Sequence, residues 1–286
     1  MPAGAAGSGL GSEGVIGPVV SRAWWRAHAD EVVLVDVRRD VPGLTARDAF
    51  AAGHVPAAAL VDLERWLAGP ASPEHGRHPL PSPDVFAEGM ARAGVGDTDV
   101  VVAYDDADGV VAARLVWMLR TTGHAAALLD GGPPPDGGRA TGLVEPDRRT
   151  FTPRPWPAAA LATPEDVAHA GAVVLDARPA ERFAGAPDPL DPRPGHVPGA
   201  RSLPCREAVG PDGALLPDEV LRQRLAQAGV DGSRPVISSC GSGVTACHTL
   251  LVMEHLGLPQ GRLYPGSWSQ WAADPDRPVE LGTRAG

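Results

Sequence analysis

The chain has 286 residues, with 35 acidic side chains against 25 basic ones and a formal charge of −10, which argues against sequence-independent binding to nucleic acid or to an anionic membrane surface. That length is generous for one compact core and suits two domains. Three cysteines, Cys205, Cys240 and Cys247, are too few for a disulfide framework and lie in no C-x-x-C spacing, so a reducing compartment, the cytoplasm, is expected.

Residues 1–17 are rich in Gly and Ala, with neither a basic start nor a continuous apolar core, and read as a flexible tail rather than a signal peptide. No stretch approaches membrane-spanning length. The first strong signal is Val32-Val-Leu-Val-Asp-Val-Arg38, an apolar run ending in Asp-x-Arg, as a buried parallel strand looks at a functional edge. Gly53-His-Val-Pro-Ala-Ala58 follows, then a helical stretch from Asp84 to Ala93. Val100 to Tyr104 reads as a strand, Asp105 to Gly109 as a loop, Val110 to Thr121 as a helix, and Leu128-Leu-Asp-Gly-Gly132 as a strand end. Prolines and glycines from Gly131 through Pro157 mark a surface linker over 133–160.

The same features then recur in the same order. Ala172 to Arg178 answers Val32 to Arg38, and Gly195-His-Val-Pro-Gly-Ala200 answers the earlier Gly-His-Val-Pro. After a helical stretch from Asp218 to Ala228, Val236 to Cys240 with its loop and the helix Val244 to Leu256 match Val100 to Thr121; Leu263 to Ser267 matches Leu128 to Gly132. Strands alternating with helices predict an α/β fold of two similar domains, 18–132 and 161–286, each a mostly parallel sheet flanked by helices with its ligand at the carboxyl ends of the strands. Setting Gly109-Val-Val-Ala112 on Gly243-Val-Thr-Ala246 places Asp106 opposite Cys240, so the first copy lacks the nucleophile and is expected to supply interface and stability.

Cys240 ends its strand and opens Cys240-Gly-Ser-Gly-Val-Thr-Ala246. A thiol at a strand-to-helix turn faces unpaired backbone N–H groups and the positive end of a helix dipole, which favour its thiolate. Gly241 and Gly243 let the backbone close on one atom, and the N–H groups of Gly241, Ser242, Gly243, Val244 and Thr245 are expected to converge on negative charge there. A buried structural cysteine is the competing reading.

With Gly266-Ser-Trp268 followed by Trp271, Gly195-His-Val-Pro-Gly199, and Tyr104-Asp105 leading to Leu129-Asp-Gly-Gly132, this loop resembles that of tandem-domain rhodanese-like sulfurtransferases, particularly the 3-mercaptopyruvate type. The resemblance covers nearly the whole chain after about residue 18. It implies a cysteine that takes sulfur from a donor, holds it as a persulfide and passes it to an acceptor thiol, such as thioredoxin or a small thiol, or to cyanide. No metal or organic cofactor is required. Thiosulfate-specific relatives carry Arg and Lys after the cysteine, whereas Gly241 and Ser242 stand here; 3-mercaptopyruvate is therefore the expected donor and thiosulfate the alternative.

The resemblance also implies residue roles. Ser242 would handle the thiol proton, with a first-domain histidine, matched to His54 by its Gly-His-Val-Pro context, and an aspartate, for which Asp40 and Asp48 are both candidates. Arg182 matches the arginine that binds the donor carboxylate through a guanidinium fork. Leu190 stands where such relatives carry a second arginine, with Arg193 as the candidate substitute. Trp268 and Trp271 are expected to pack near the loop. A phosphatase of the Cys-x5-Arg type is disfavoured, since the sixth residue after Cys240 is Ala246; a binding module without turnover is the other alternative.

Overall fold

In a computed structural model, residues 16–134, 138–169 and 171–283 are described; the expected tail at 1–17 lies, apart from its last two residues, outside them. The first repeat runs β1 (Val19–Val20), α1 (Arg22–Ala27), β2 (Val32–Arg38), α2 (Ala46–Ala52), β3 (Ala59–Asp62), α3 (Pro83–Arg92), β4 (Val100–Tyr104), α4 (Ala112–Thr121) and β5 (Ala126–Leu129). The second runs α5 (Pro164–Ala168), β6 (Val173–Asp176), α6 (Ala180–Ala184), β7 (Arg201–Ser202), α7 (Asp218–Gln227), β8 (Val236–Ser239), α8 (Ala246–His255), β9 (Arg262–Leu263) and α9 (Ser267–Ala273).

Both sheets are parallel and share one order, β1-β5-β4-β2-β3 in the first and β7-β6-β8-β9 in the second. A parallel bridge from Leu161 to Leu263 stands where β1 meets β5. The central strands are mostly apolar because helices cover both faces, and their polar residues gather at the carboxyl ends; Val35, Val37, Leu175 and Ile237 have no exposed surface. The starts and stops are written locally. Ser82 caps α3 by accepting from Val85 N, with a proline at the first helical position, where its missing N–H costs no hydrogen bond.

The repeats meet through α4 and α8, which pack directly on each other. One apolar cluster runs across this contact, from Val35, Leu115 and Met118 to Cys240, Val244 and Met253. The carboxyl ends of β4 and β8, and the loops that follow them, are positioned by this shared core. Between the repeats, residues 131–157 hold no helix or strand among those described, and Ala140 pairs with His54 in an isolated antiparallel bridge.

Candidate active site

The strand register corrects the alignment of the two copies. Asp36 pairs with Tyr104 in the first sheet, and Asp176 pairs with Ser239 in the second. Tyr104 and Ser239 are therefore equivalent, and Asp105, not Asp106, stands where Cys240 stands. Asp106 instead pairs with Arg38 Nη1 at 2.6 Å. The first loop is one residue longer, which a match on its glycine alone does not reveal.

Cys240 leaves β8 with its backbone held on both sides. Its N–H donates to Ser267 Oγ at 3.1 Å, and its carbonyl accepts from Trp268 N at 2.9 Å; the Gly241 carbonyl accepts from Ser269 N, also at 2.9 Å. Ser267 adopts a positive φ of 49°, uncommon outside glycine, and its hydroxyl donates to Tyr264 O at 2.8 Å. With these carbonyls tied to the start of α9, the loop turns an amide inward: Gly243 N donates to Cys240 Sγ at 3.1 Å. Gly243 must be glycine, since it has φ +77° and a Cβ there would lie 2.3 Å from Pro265 O. Val244 is buried and Thr245 half-buried; Thr245 occupies the N-cap of α8 without a side-chain cap bond. Cys240 is 2% exposed, and the neighbouring Ser242 is half-buried.

Two first-repeat residues that the sequence reading did not single out complete the loop. His78 Nδ1 lies 2.7 Å from Ser242 Oγ. Burial, then the charges of Arg114, Arg77 and Arg39, lower its pKa to about 4, so it is a neutral imidazole at neutral pH. Arg114, from α4, is fully buried and donates from Nη1 to Gly243 O at 2.8 Å and from Nη2 to Leu67 O and His78 O, each at 3.1 Å. One guanidinium thus ties the cysteine loop to the backbone of the histidine that meets Ser242. An arginine in the middle of the apolar run Val110 to Leu119 was the available signal.

His54 is placed elsewhere. Its Nδ1–H donates to Phe50 O at 2.9 Å, its ring stacks on Phe50 at 3.7 Å between centroids, and its N–H donates to Ala140 O. His196 does the same in the second repeat, donating to Phe183 O at 2.7 Å and stacking on Phe183 at 3.6 Å. The Gly-His-Val-Pro histidines brace their own domains. Nor do the candidate aspartates reach Ser242: Asp40 Oδ1 accepts from Ala46 N, and Asp48 Oδ2 accepts from Thr45 Oγ1 at the start of α2.

Among the arginines, Arg182 reaches the site, with Nη2 3.6 Å from where a Cβ on Gly241 would lie. Arg193 does not. Its guanidinium is spent on the carbonyls of Trp271, Ala272, Asp274 and Arg277, a cation closing the end of α9 in the manner that helix C-termini favour. Arg178 grips Asp176 and lies 4.8 Å over the ring of Trp268, mirroring Arg38 on Asp36. Trp268 and Trp271 are each 1% exposed. Cys205 and Cys247 are buried, with burial pushing each thiol up to about 12, so neither ionises near neutrality.

This arrangement matches known proteins over most of its length. The rhodanese-like domain model matches twice, at residues 21–133 and 160–274. A Pseudomonas aeruginosa protein named "Probable 3-mercaptopyruvate sulfurtransferase" is 38% identical over 90% of this chain and 95% of its own. A Mycobacterium tuberculosis protein provisionally described as a thiosulfate sulfurtransferase is 35% identical over 89% of this chain and 92% of its own. The crystal structure of the 3-mercaptopyruvate enzyme from Escherichia coli superposes with a TM-score of 0.77 at 35% identity, covering 89% of this chain and all of that one. Two matched domains, parallel sheets of one order and a cysteine loop closed by its partner repeat place the chain in the tandem-domain rhodanese-like sulfurtransferases, similar to those of the 3-mercaptopyruvate type.

Proposed function

We propose that the protein takes sulfur from 3-mercaptopyruvate onto Cys240 as a persulfide and delivers it to a thiol, thioredoxin or a small one, or to cyanide. The observation that carries this reading is the approach of Gly243 N–H to Cys240 Sγ beside the Ser242–His78 pair. The amide favours negative sulfur before and after transfer, and the pair can move a proton.

The Cys240 thiolate attacks the donor sulfur, forming an S–S bond. The carbon–sulfur bond breaks, its electron pair stays on carbon, and pyruvate leaves as its enolate. Ser242, whose hydroxyl can donate to the neutral His78, accepts the proton of the donor thiol and returns it to the enolate carbon. Arg182 holds the carboxylate while this occurs. An acceptor thiolate then attacks the outer sulfur, the S–S bond breaks, and Cys240 is restored as a thiolate; cyanide would leave as thiocyanate.

Intact-protein mass spectrometry after exposure to 3-mercaptopyruvate tests the intermediate. One added sulfur, removed by cyanide and missing in Cys240→Ser, is expected; no added sulfur on the wild type refutes the reading. The guanidiniums beside Gly241 would also receive the sulfonate end of thiosulfate, which makes thiosulfate the second reading. Comparing kcat/KM for the two donors decides, and a large preference for thiosulfate would reverse the assignment.

A further inference from the structure

Two guanidinium groups from different repeats converge on the residue next to Cys240. A Cβ placed on Gly241 would lie 3.0 Å from Arg77 Nη2 and 3.6 Å from Arg182 Nη2. One buried carboxylate organises both. Asp191, with its side chain 4% exposed, accepts from Arg77 Nη1 and, at 2.6 Å, from Arg182 Nη2. Arg77 Nη1 also donates to Leu190 O at 2.8 Å, and Arg77 N donates to Ser269 Oγ at 3.0 Å, so the side chain is fixed from the back. Its front stays open: Arg77 and Arg182 are 26% and 22% exposed in their side chains. Among the described residues, Arg77 Nη2 donates no hydrogen bond within the protein.

The chemistry of the donor decides what that edge is for. In an α-keto acid bearing a thiol on its third carbon, one carbonyl carbon separates the carboxylate from the sulfur-bearing methylene. Ligands of the carboxylate must therefore lie beside the cysteine loop. Arg77 and Arg182 meet this requirement, whereas Arg193 is bound to the end of α9.

We propose that Arg77 is a second ligand of the donor carboxylate, supplied by the first repeat and held in register with Arg182 by Asp191. The assignment rests on reading Cys240 as the acceptor of sulfur from 3-mercaptopyruvate. Donor binding is then built across the two repeats, and Asp191 is a positioning residue that keeps two like charges at carboxylate spacing.

The test uses the full chain with Arg77→Met and Arg77→Lys, and pyruvate as a probe that needs no turnover. Calorimetry should show pyruvate binding weakened about 10- to 100-fold in Arg77→Met, as for loss of a charge-assisted hydrogen bond. KM for 3-mercaptopyruvate should rise by a similar factor while kcat moves less than about threefold, the pattern for lost uniform binding. Arg77→Lys should recover part of the loss, because it keeps the charge without the fork. Mercaptoacetone, which lacks the carboxylate, should be processed by wild type and Arg77→Met alike. Unchanged pyruvate affinity in Arg77→Met, or equal losses with mercaptoacetone, overturns the proposal and leaves Arg77 as an interdomain staple. Failure of the wild type to turn over 3-mercaptopyruvate would instead sink the donor assignment, with the pyruvate titration still deciding whether Arg77 binds carboxylate.

Discussion

The two strand-to-helix loops of this chain solve one problem in opposite ways. Loop amides meet the residue at the end of each strand, four of them in the first copy and that of Gly243 in the second. In the first, that residue is Asp105: Oδ1 accepts from Ala107 N and Gly109 N at 2.7 and 2.8 Å, and Oδ2 from Val111 N and Ala112 N at 2.7 and 2.6 Å. Burial raises this carboxyl above its ordinary range, against the pull of the four amides that bond it. With each oxygen already accepting two N–H groups, the ionised form fits best. In the second loop the place is taken by Cys240, and α8 begins without a side-chain cap. The first backbone is thus an anion cradle closed by its own carboxylate, whereas the second brings a single amide to a thiol.

The sharpest way to break this contrast is to truncate both occupants. Cys240→Ala should lower sulfur transfer by more than about a thousandfold, since the covalent route disappears, while denaturant unfolding shifts by less than about 2 kcal/mol. Asp105→Ala should do the reverse. It leaves four amides unpaired in a buried site and is expected to cost about 3–5 kcal/mol, read as a lower denaturation midpoint. A stable Asp105→Ala variant would refute the idea that the first loop closes on an anion.

The proton path gives the next largest effect. Ser242→Ala and His78→Asn should each slow turnover of 3-mercaptopyruvate about 100-fold, as for loss of a general acid–base group. His78 resists protonation until about pH 4, so no acid limb attributable to it should appear in kcat near its ordinary value of 6.5. The linkage has a definite sign. Between pH 6.5 and 4 the unfolded chain binds a proton at this residue that the folded chain does not, so stability falls as pH is lowered through that window and is unaffected by His78 above it. Unfolding at a series of pH values, wild type against His78→Asn, should show a shallower acid loss in the variant.

The smallest expected effect separates the two arginines once assigned to the donor. Arg193→Ala should lose about 1–2 kcal/mol of stability through the uncapped end of α9 and leave KM unchanged within twofold. A KM effect as large as that of Arg182→Ala would restore Arg193 to the site.

Where the sequence was legible, and where not, follows from the range of the interactions. Strands such as Val32–Arg38 and helices such as Asp218–Gln227 carry their signal in their own periodicity, and the doubled order of motifs exposed the doubled fold. The Cys240 loop was legible because it is written in seven consecutive residues. His78 was not, since it meets Ser242 across 164 positions, and Arg114 meets Gly243 across 129. Such contacts depend on how α4 packs on α8. The choice of His54 failed for a related reason: its motif recurs at His196, where both copies use the ring against a local phenylalanine, so the motif reports a brace and not a partner of Ser242. The displacement from Asp106 to Asp105 came from a single extra loop residue that only strand register exposes.

The helix pair α4 and α8 has a consequence for what an unfused ancestor could have been. Ala112 and Ala246 both open their helices, so Arg114 occupies the place that His248 holds in the other copy. His248 is 1% exposed, with neither ring nitrogen hydrogen-bonded. In a dimer of identical subunits one residue would have to serve in both positions, as tether of a neighbour's loop and as a buried side chain packed within its own repeat. Covalent linkage in tandem lifts that symmetry, letting the same position carry a loop tether in one half and a buried imidazole in the other.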